Sequence, residues 1–280
     1  MTQIVCQFVV IFFSNNKLGG IKMQTLTSLF HQRIGLPMNQ TITFENLDEV
    51  LEKTAQNIPF ENLTIIENKT GEITKENLMN KIIERNEGGI CYELNPLFYF
   101  YLLENGFNAV LTNGVVYNHA AEEYHQLGRT HVTILINHED QMYLIDTGFG
   151  GNLPLKPVPL SGEPISSYNG EFRIKKVNHP YGDYCLEMQL KHKDTDWKIG
   201  YAFDTKKSIE DLSKLNEIQT IITEHPKSSF NKHPLITRLT NNGNITLTDT
   251  TFTQWADGIL TKENIDNVKF KELAKQHFGL

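Results

Sequence analysis

From residue 24 to about 105 the apolar residues recur at helical spacing. Leu26, Leu29, Phe30 and Ile34 follow the 3.6-residue period, as do Leu47, Val50 and Leu51 behind an entry at Thr43–Asn46. The segment Lys75–Arg85 repeats the pattern with Leu78, Met79, Ile82 and Ile83. From Cys91 onward Leu94, Leu97, Phe98, Tyr101 and Leu102 mark a further amphipathic helix, stopped by Asn105-Gly106. Pro96 lacks an N–H, so this helix must start close to it or carry a local kink.

After Gly106 the period shortens. Val110–Tyr117, Thr130–Asn137, Gln141–Thr147, Glu171–Val177, Tyr184–Leu190 and Asp196–Phe203 read as strands between turn residues. The Pro- and Gly-rich stretch Gly150–Pro164 reads as a long loop or a passage between sheets. Ser208–Thr223 returns to helix, Leu235–Thr248 reads as a hairpin turning at Asn242-Gly243, and Ile265–Gln276 as a closing helix. Helices, then strands, then a mixture predict an α+β protein.

Charge and composition narrow the function. With 26 Lys plus Arg against 33 Asp plus Glu, the chain carries a net charge of −7 and offers no electrostatic drive toward nucleic acid. Three scattered cysteines (Cys6, Cys91 and Cys185) make no disulfide framework and suggest free thiols in a reducing, cytosolic setting. The ten histidines form no HExxH and no Cys/His pair at zinc spacing, so no metal site is expected. The apolar run Ile4–Phe13 lacks the flanks of a signal peptide and is too short to span a membrane. Residues 1–22 are read as a non-native or disordered extension ahead of a start at Met23.

Three stretches could carry chemistry: Gly88-Gly89-Ile90-Cys91-Tyr92-Glu93, Arg129-Thr130-His131, and Leu144 to Gly151 with Asp146 inside it. A thiol attacks only as its thiolate, and a helix N-terminus beside an imidazolium lowers its pKa from about 8.5 into the range ~3.5–7.5. Cys91 fits that requirement, because two glycines precede it and a helix follows. If a tight turn falls at His138-Glu139, counting back along the two strands sets His131 directly opposite Asp146. Their Cβ atoms would then lie about 4.5–5.5 Å apart, within reach of an imidazole–carboxylate bond. A turn one residue longer would place them on opposite faces. Plainer readings also stand: Cys91 as a small buried hydrophobe, His131 as a core histidine, Asp146 as a turn initiator. Composition and spacing leave both sets open.

Resemblance goes further. Ile58-Pro59-Phe60-Glu61-Asn62-Leu63, Gly88 to Asn95, Thr130-His131, Asp146 to Gly151 and Pro234 to Thr240 occur in the order and at the intervals of the arylamine N-acetyltransferases, which the chain resembles from Met23 to its end. The resemblance implies a papain-like fold: an N-terminal helical bundle (residues 23–106), a β-barrel-like middle domain (107–206) and a C-terminal α/β lid (207–280). It implies a triad of Cys91, His131 and Asp146 that takes acetyl from acetyl-CoA and passes it to an arylamine, hydrazine or hydroxylamine. Phe60, Val116 and Phe149 are implied to line the acceptor slot, with Gly148, Gly150 and Gly151 near the CoA pyrophosphate. No permanently bound cofactor, nucleic acid, membrane or obligate protein partner is implied.

One position departs from the family. Glu87 stands where the resemblance implies an arginine that precedes the two glycines and braces the loop against Glu61. A carboxylate pair there would oppose thiolate formation, unless Arg85 folds back to take the arginine's place. Two other readings of the same residues are a cysteine hydrolase, which would need an open polar groove, and a binding protein that holds CoA or an amine without turnover.

Overall fold

The helical periodicity of the N-terminal third is realised in the computed structural model, which describes residues 24–191 and 193–280. The extension read at residues 1–22 lies outside the described residues. Helix Leu26–Ile34 starts at Thr25, whose hydroxyl accepts the Ser28 amide, and ends at Gly35 in the left-handed region (φ +78°). Helix Leu47–Asn57 buries Leu47, Val50 and Leu51. After Thr74 one α-helical turn, Lys75–Leu78, widens into a π-helical turn over Met79–Glu84 that buries three consecutive residues, Lys81, Ile82 and Ile83. A plain 3.6 period does not announce that widening. Helix Cys91–Glu104 runs through Pro96 and packs Phe98 and Tyr101 on Phe30, with ring centroids 5.8 and 4.6 Å from it. Helix Ser213–Glu224, from much later in the chain, lays Leu215, Ile218 and Ile222 into this same core.

The middle of the chain curls into a nine-stranded antiparallel sheet. Its order is Val158–Pro159, Gln141–Ile145, His131–His138, Asn108–Asn118, Lys198–Ser208, Gly182–Leu190, Gly170–His179 and Ile165–Ser167, with Glu123–Tyr124 added beside Asn108–Asn118. Val158 from one edge and Phe172 and Ile174 from the other share one core with Leu186 and Tyr201, so the sheet is nearly closed into a barrel. A second sheet of five strands follows the order Phe60–Glu61, Leu235–Thr240, Gly243–Thr248, Thr251–Ala256 and Ile259–Asn264, and helix Asn267–Phe278 packs Leu273, Ala274 and Phe278 on it. The expected α+β fold is what forms. Among the described residues no helix is long and apolar enough to cross a membrane.

Several details differ from the sequence reading, among them the hairpin over Leu235–Thr248, which turns at Asn241-Asn242 rather than at Asn242-Gly243. The hairpin after His131 turns at Glu139-Asp140, both left-handed (φ +49° and +61°), with His138 paired to Gln141. Such a turn matches the right-handed twist of the strands. Its register pairs Ile134 with Ile145, so Thr133 comes opposite Asp146 and His131 lies two residues further on. A two-residue offset keeps the face, and His131 meets Asp146 diagonally rather than head-on. The strand expected to stop at Phe203 continues to Ser208, because Thr112 donates to the carbonyls of Asp204 and Lys207 across a bulge; the next helix starts only at Ser213. Finally, the hairpin Thr251–Ala256/Ile259–Asn264 was absent from the sequence reading, although Asp257-Gly258 is a two-residue hairpin turn with φ +52° and +82°.

The aromatic stack under helix Cys91–Glu104 gives a stability test. Phe98 is 1% exposed, and Phe98→Ala should cost about 3–5 kcal/mol of unfolding free energy in chemical denaturation. A loss under about 1 kcal/mol would mean that the helix is held elsewhere.

Candidate active site

Cys91 is the first residue of its helix, behind an extended Ile90 (φ −109°, ψ −172°). The loop before it is fastened on both sides: the Gly89 amide donates to the Pro59 carbonyl (3.3 Å), and the Glu61 amide donates to the Gly89 carbonyl (3.0 Å). A Cβ on Gly88 would stand 2.1 Å from the Pro59 oxygen, so the close approach of the two segments requires glycine. The Glu93 carboxylate reaches back to accept the Ile90 amide at 3.1 Å, the acidic half of a capping box. Cys91 is thereby held at 6% exposure, its Sγ 3.5 Å from the Thr130 carbonyl.

His131 and Asp146 come together as the diagonal register allows. His131 Nε2 lies 2.7 Å from Asp146 Oδ2, and both residues are buried. The Cys91 sulfur is close enough to the same ring to favour its cation, and with Nε2 on Asp146 the remaining ring nitrogen is Nδ1. Burial favours a neutral imidazole, but the Asp146 charge and hydrogen bond, with a smaller contribution from the Cys91 sulfur, push the His131 pKa up to about 10. Burial likewise works against the Asp146 carboxylate. The His131 cation and bonds from His131, Asn95 and Gly148 outweigh it and hold the Asp146 pKa below its ordinary value.

Two residues that the sequence reading assigned no role complete this arrangement. Asn95, one turn after Cys91, donates from Nδ2 to the Val132 carbonyl (2.7 Å) and to Asp146 Oδ1 (2.9 Å), while its Oδ1 accepts from the amide and hydroxyl of Thr147. The i, i+4 spacing from Cys91 was the available signal. Tyr201 donates its hydroxyl to Asp146 Oδ2 at 2.8 Å; it comes from a strand 55 residues further along, and no local pattern reveals it. Its ring and that of Phe149 flank His131, with centroids 4.3 and 4.9 Å away.

Of the residues expected to bind substrate, Phe60, Phe149, Gly150 and Gly151 line one cleft of about 600 Å³ between the barrel and the five-stranded sheet. Across it stand Thr237 and Trp255. Val116 does not border that cleft: it is half-buried against the barrel core, paired with Tyr201. Gly148 is buried, and a Cβ there would stand 2.6 Å from the Cys91 Cα, so it seats the helix that begins at Cys91. Among the described residues no group of three His, Cys, Asp or Glu could hold a metal ion.

This geometry can be set beside known proteins. Residues 43–280 match the family model described as N-acetyltransferase. A probable arylamine N-acetyltransferase of Dictyostelium discoideum is 32% identical over 87% of this chain and 88% of that protein. An uncharacterized acetyltransferase of Bacillus subtilis is 38% identical over 92% and 99%. The crystal structure of an arylamine N-acetyltransferase from Bacillus cereus superposes with a TM-score of 0.87 at 40% identity, covering 92% of this chain and 99% of that one. The chain belongs to the arylamine N-acetyltransferase family. The Bacillus cereus enzyme is described as having a Cys-His-Glu catalytic triad; here the carboxylate bonded to the histidine is that of an aspartate, Asp146.

Within the arylamine N-acetyltransferase frame, the departure at Glu87 takes a specific form. Glu87 pairs with Arg85 at 2.9 Å, so Arg85 neutralises Glu87 rather than reaching Glu61. The cation facing Glu61 is Lys81, 3.6 Å away and 2.6 Å from Glu93.

The His131–Asp146 pair makes stability depend on pH. Between the unfolded histidine pKa of about 6.5 and the folded value of about 10, the native state binds a proton that the unfolded state does not. The contribution of the His131 proton is therefore complete below about pH 6.5 and lost as pH rises toward 10. Unfolding free energies at pH 6.5 and 10 should differ less in Asp146→Asn than in the wild type. An equal difference would show that Asp146 does not hold the proton on His131.

Proposed function

We propose that this chain transfers an acetyl group from acetyl-CoA to the nitrogen of arylamines, arylhydrazines or arylhydroxylamines through an acetyl-Cys91 intermediate, in a ping-pong sequence. The observation that carries the reading is a buried Cys–His–Asp cluster beside a cleft walled by Phe60, Phe149 and Phe230, with the Phe149 ring 4.9 Å from that of His131. The work divides along the chain: residues 23–106 supply the nucleophile, 107–206 the histidine and aspartate, and 207–280 the far wall of the cleft.

In the first half-reaction the Cys91 thiolate adds to the thioester carbonyl. The tetrahedral oxyanion collapses, the C–S bond to CoA breaks, and the departing sulfur takes the proton of the His131 imidazolium. In the second, the amine nitrogen adds to the acetyl carbon and gives its proton to His131 Nδ1, and the Cys91 thiolate leaves. Asp146 keeps one tautomer and orientation of the ring through both halves, because Nε2 remains on its carboxylate. With Cys91 only 6% exposed, a slender acyl arm fits the site and a folded peptide does not. The nucleotide end of the donor is left to the cleft, where Gly150 and Gly151 border the space without side chains. The aromatic walls suit a flat acceptor ring.

Intact-protein mass after brief exposure to acetyl-CoA tests this. An acetyl adduct on Cys91, absent in Cys91→Ala and discharged by 4-methoxyaniline to the N-acetyl product, is expected. An adduct lost to water equally fast without amine would make the protein a hydrolase. No adduct on the folded wild type would remove acetyl-CoA as donor.

A further inference from the structure

The mechanism leaves one buried charged cluster unused. Lys81, 6% exposed, points its ammonium between two buried glutamates, 2.6 Å from Glu93 Oε1 and 3.6 Å from Glu61 Oε1, and donates to the Thr64 hydroxyl at 3.0 Å. The other oxygen of each carboxylate holds backbone. Glu93 Oε2 accepts the Ile90 amide, one residue before the nucleophile, and Glu61 Oε2 accepts the Leu63 amide at 2.6 Å. The Glu61 amide is itself bonded to the Gly89 carbonyl. Lys81 thus ties together two residues that fasten the loop Gly88–Ile90, Glu93 through its carboxylate and Glu61 through its backbone amide.

We propose that Lys81 is a positioning residue for acyl transfer, bridging Glu61 and Glu93 so that the first turn of the nucleophile helix presents Cys91 to His131. The inference rests on Cys91 being the nucleophile. Glu93 and the nucleophile share a helical turn, so a displaced Glu93 carboxylate releases the Ile90 amide and with it the entry angle of the helix. The ammonium is not replaceable from nearby: Arg85 is taken by Glu87, and Arg33 is spent on the carbonyls of Asn57, Ile82 and Asn86. One ammonium between two carboxylates also leaves a surplus of negative charge. Burial raises the Glu61 pKa, and the proximity of Glu93 adds to it, with Lys81 opposing. The two glutamates in turn hold the Lys81 pKa above its ordinary value against the effect of burial. Lys81 is therefore an ammonium at neutral pH. The π-helical turn over Met79–Glu84 is what carries Lys81 inward alongside Ile82 and Ile83.

The experiment reads Cys91 without an acyl donor: the rate of alkylation by iodoacetamide at pH 7.5, mapped by peptide mass, beside steady-state kcat and KM. Lys81→Met should slow alkylation and kcat by roughly 10- to 100-fold, as expected for a nucleophile displaced by a fraction of an ångström to an ångström, with KM for acetyl-CoA little changed. A folded Lys81→Met protein with wild-type alkylation and kcat overturns the proposal. Because that variant buries two carboxylates without a cation, Lys81→Met/Glu61→Gln serves as the second test. It removes one charge of each sign and should recover stability, yet still lack the bridge and still react slowly. Recovery of alkylation together with stability would reduce Lys81 to a structural salt bridge and overturn the proposal. If the wild type forms no acetyl-Cys91 while its alkylation still depends on Lys81, the positioning role stands and only the donor assignment fails.

Discussion

The site depends on one buried carboxylate. Asp146 receives four hydrogen bonds: from His131 Nε2 and Tyr201 on Oδ2, and from Asn95 and the Gly148 amide on Oδ1. A carboxylate without such partners would be protonated in an interior this dry. Saturated, it remains an anion and keeps the imidazole beside Cys91 charged. The four donors come from the nucleophile helix, two barrel strands and the Gly148 turn, so one ion gathers every part of the chemistry. Removing it would leave a buried cation together with the Asn95 and Gly148 donors unpaired, a cost beyond that of a single lost hydrogen bond.

Geometry elsewhere follows from that requirement. Asn95 must face the same way as Cys91, which a helix provides one turn later. The helix can come so close to the barrel only because Gly148 has no side chain under the Cys91 backbone. The hairpin at Glu139-Asp140 sets the strand register that keeps His131 and Asp146 on one face. On the other flank, the strand Phe60–Glu61 pairs with both Gly89 and the residues Ile236 and Thr237, so it joins the cleft's far wall to the loop that leads into Cys91.

Legibility in the sequence tracks how local each feature is. The helices around Leu47–Asn57 and Cys91–Glu104 are evident because their apolar stripe is written within a few turns of chain. The strands of the barrel core are evident for the same reason at period two. Cys91, His131 and Asp146 stand out because residue type and short motifs mark them. Their diagonal contact was only half readable: the face follows from parity, while the offset depends on whether the turn sits at His138 or Glu139. Tyr201 and Lys81 were beyond local reading. The first reaches Asp146 through barrel closure, and the second turns inward on a π-helical turn that a 3.6-residue template cannot represent. Glu87 was readable as a departure, but its partner was not, since Arg85 two residues away and Lys81 six residues away differ only in the path of the backbone.

The central claim is that Asp146 keeps His131 an imidazolium in the resting protein. The most direct measurement is the nitrogen-15 NMR titration of the His131 ring in histidine-labelled protein. The account predicts that both ring nitrogens stay protonated well above neutrality, with the transition near pH 10 in the wild type and displaced downward in Asp146→Asn. A wild-type His131 that titrates near the ordinary histidine value of about 6.5, or a transition unmoved by Asp146→Asn, would contradict it.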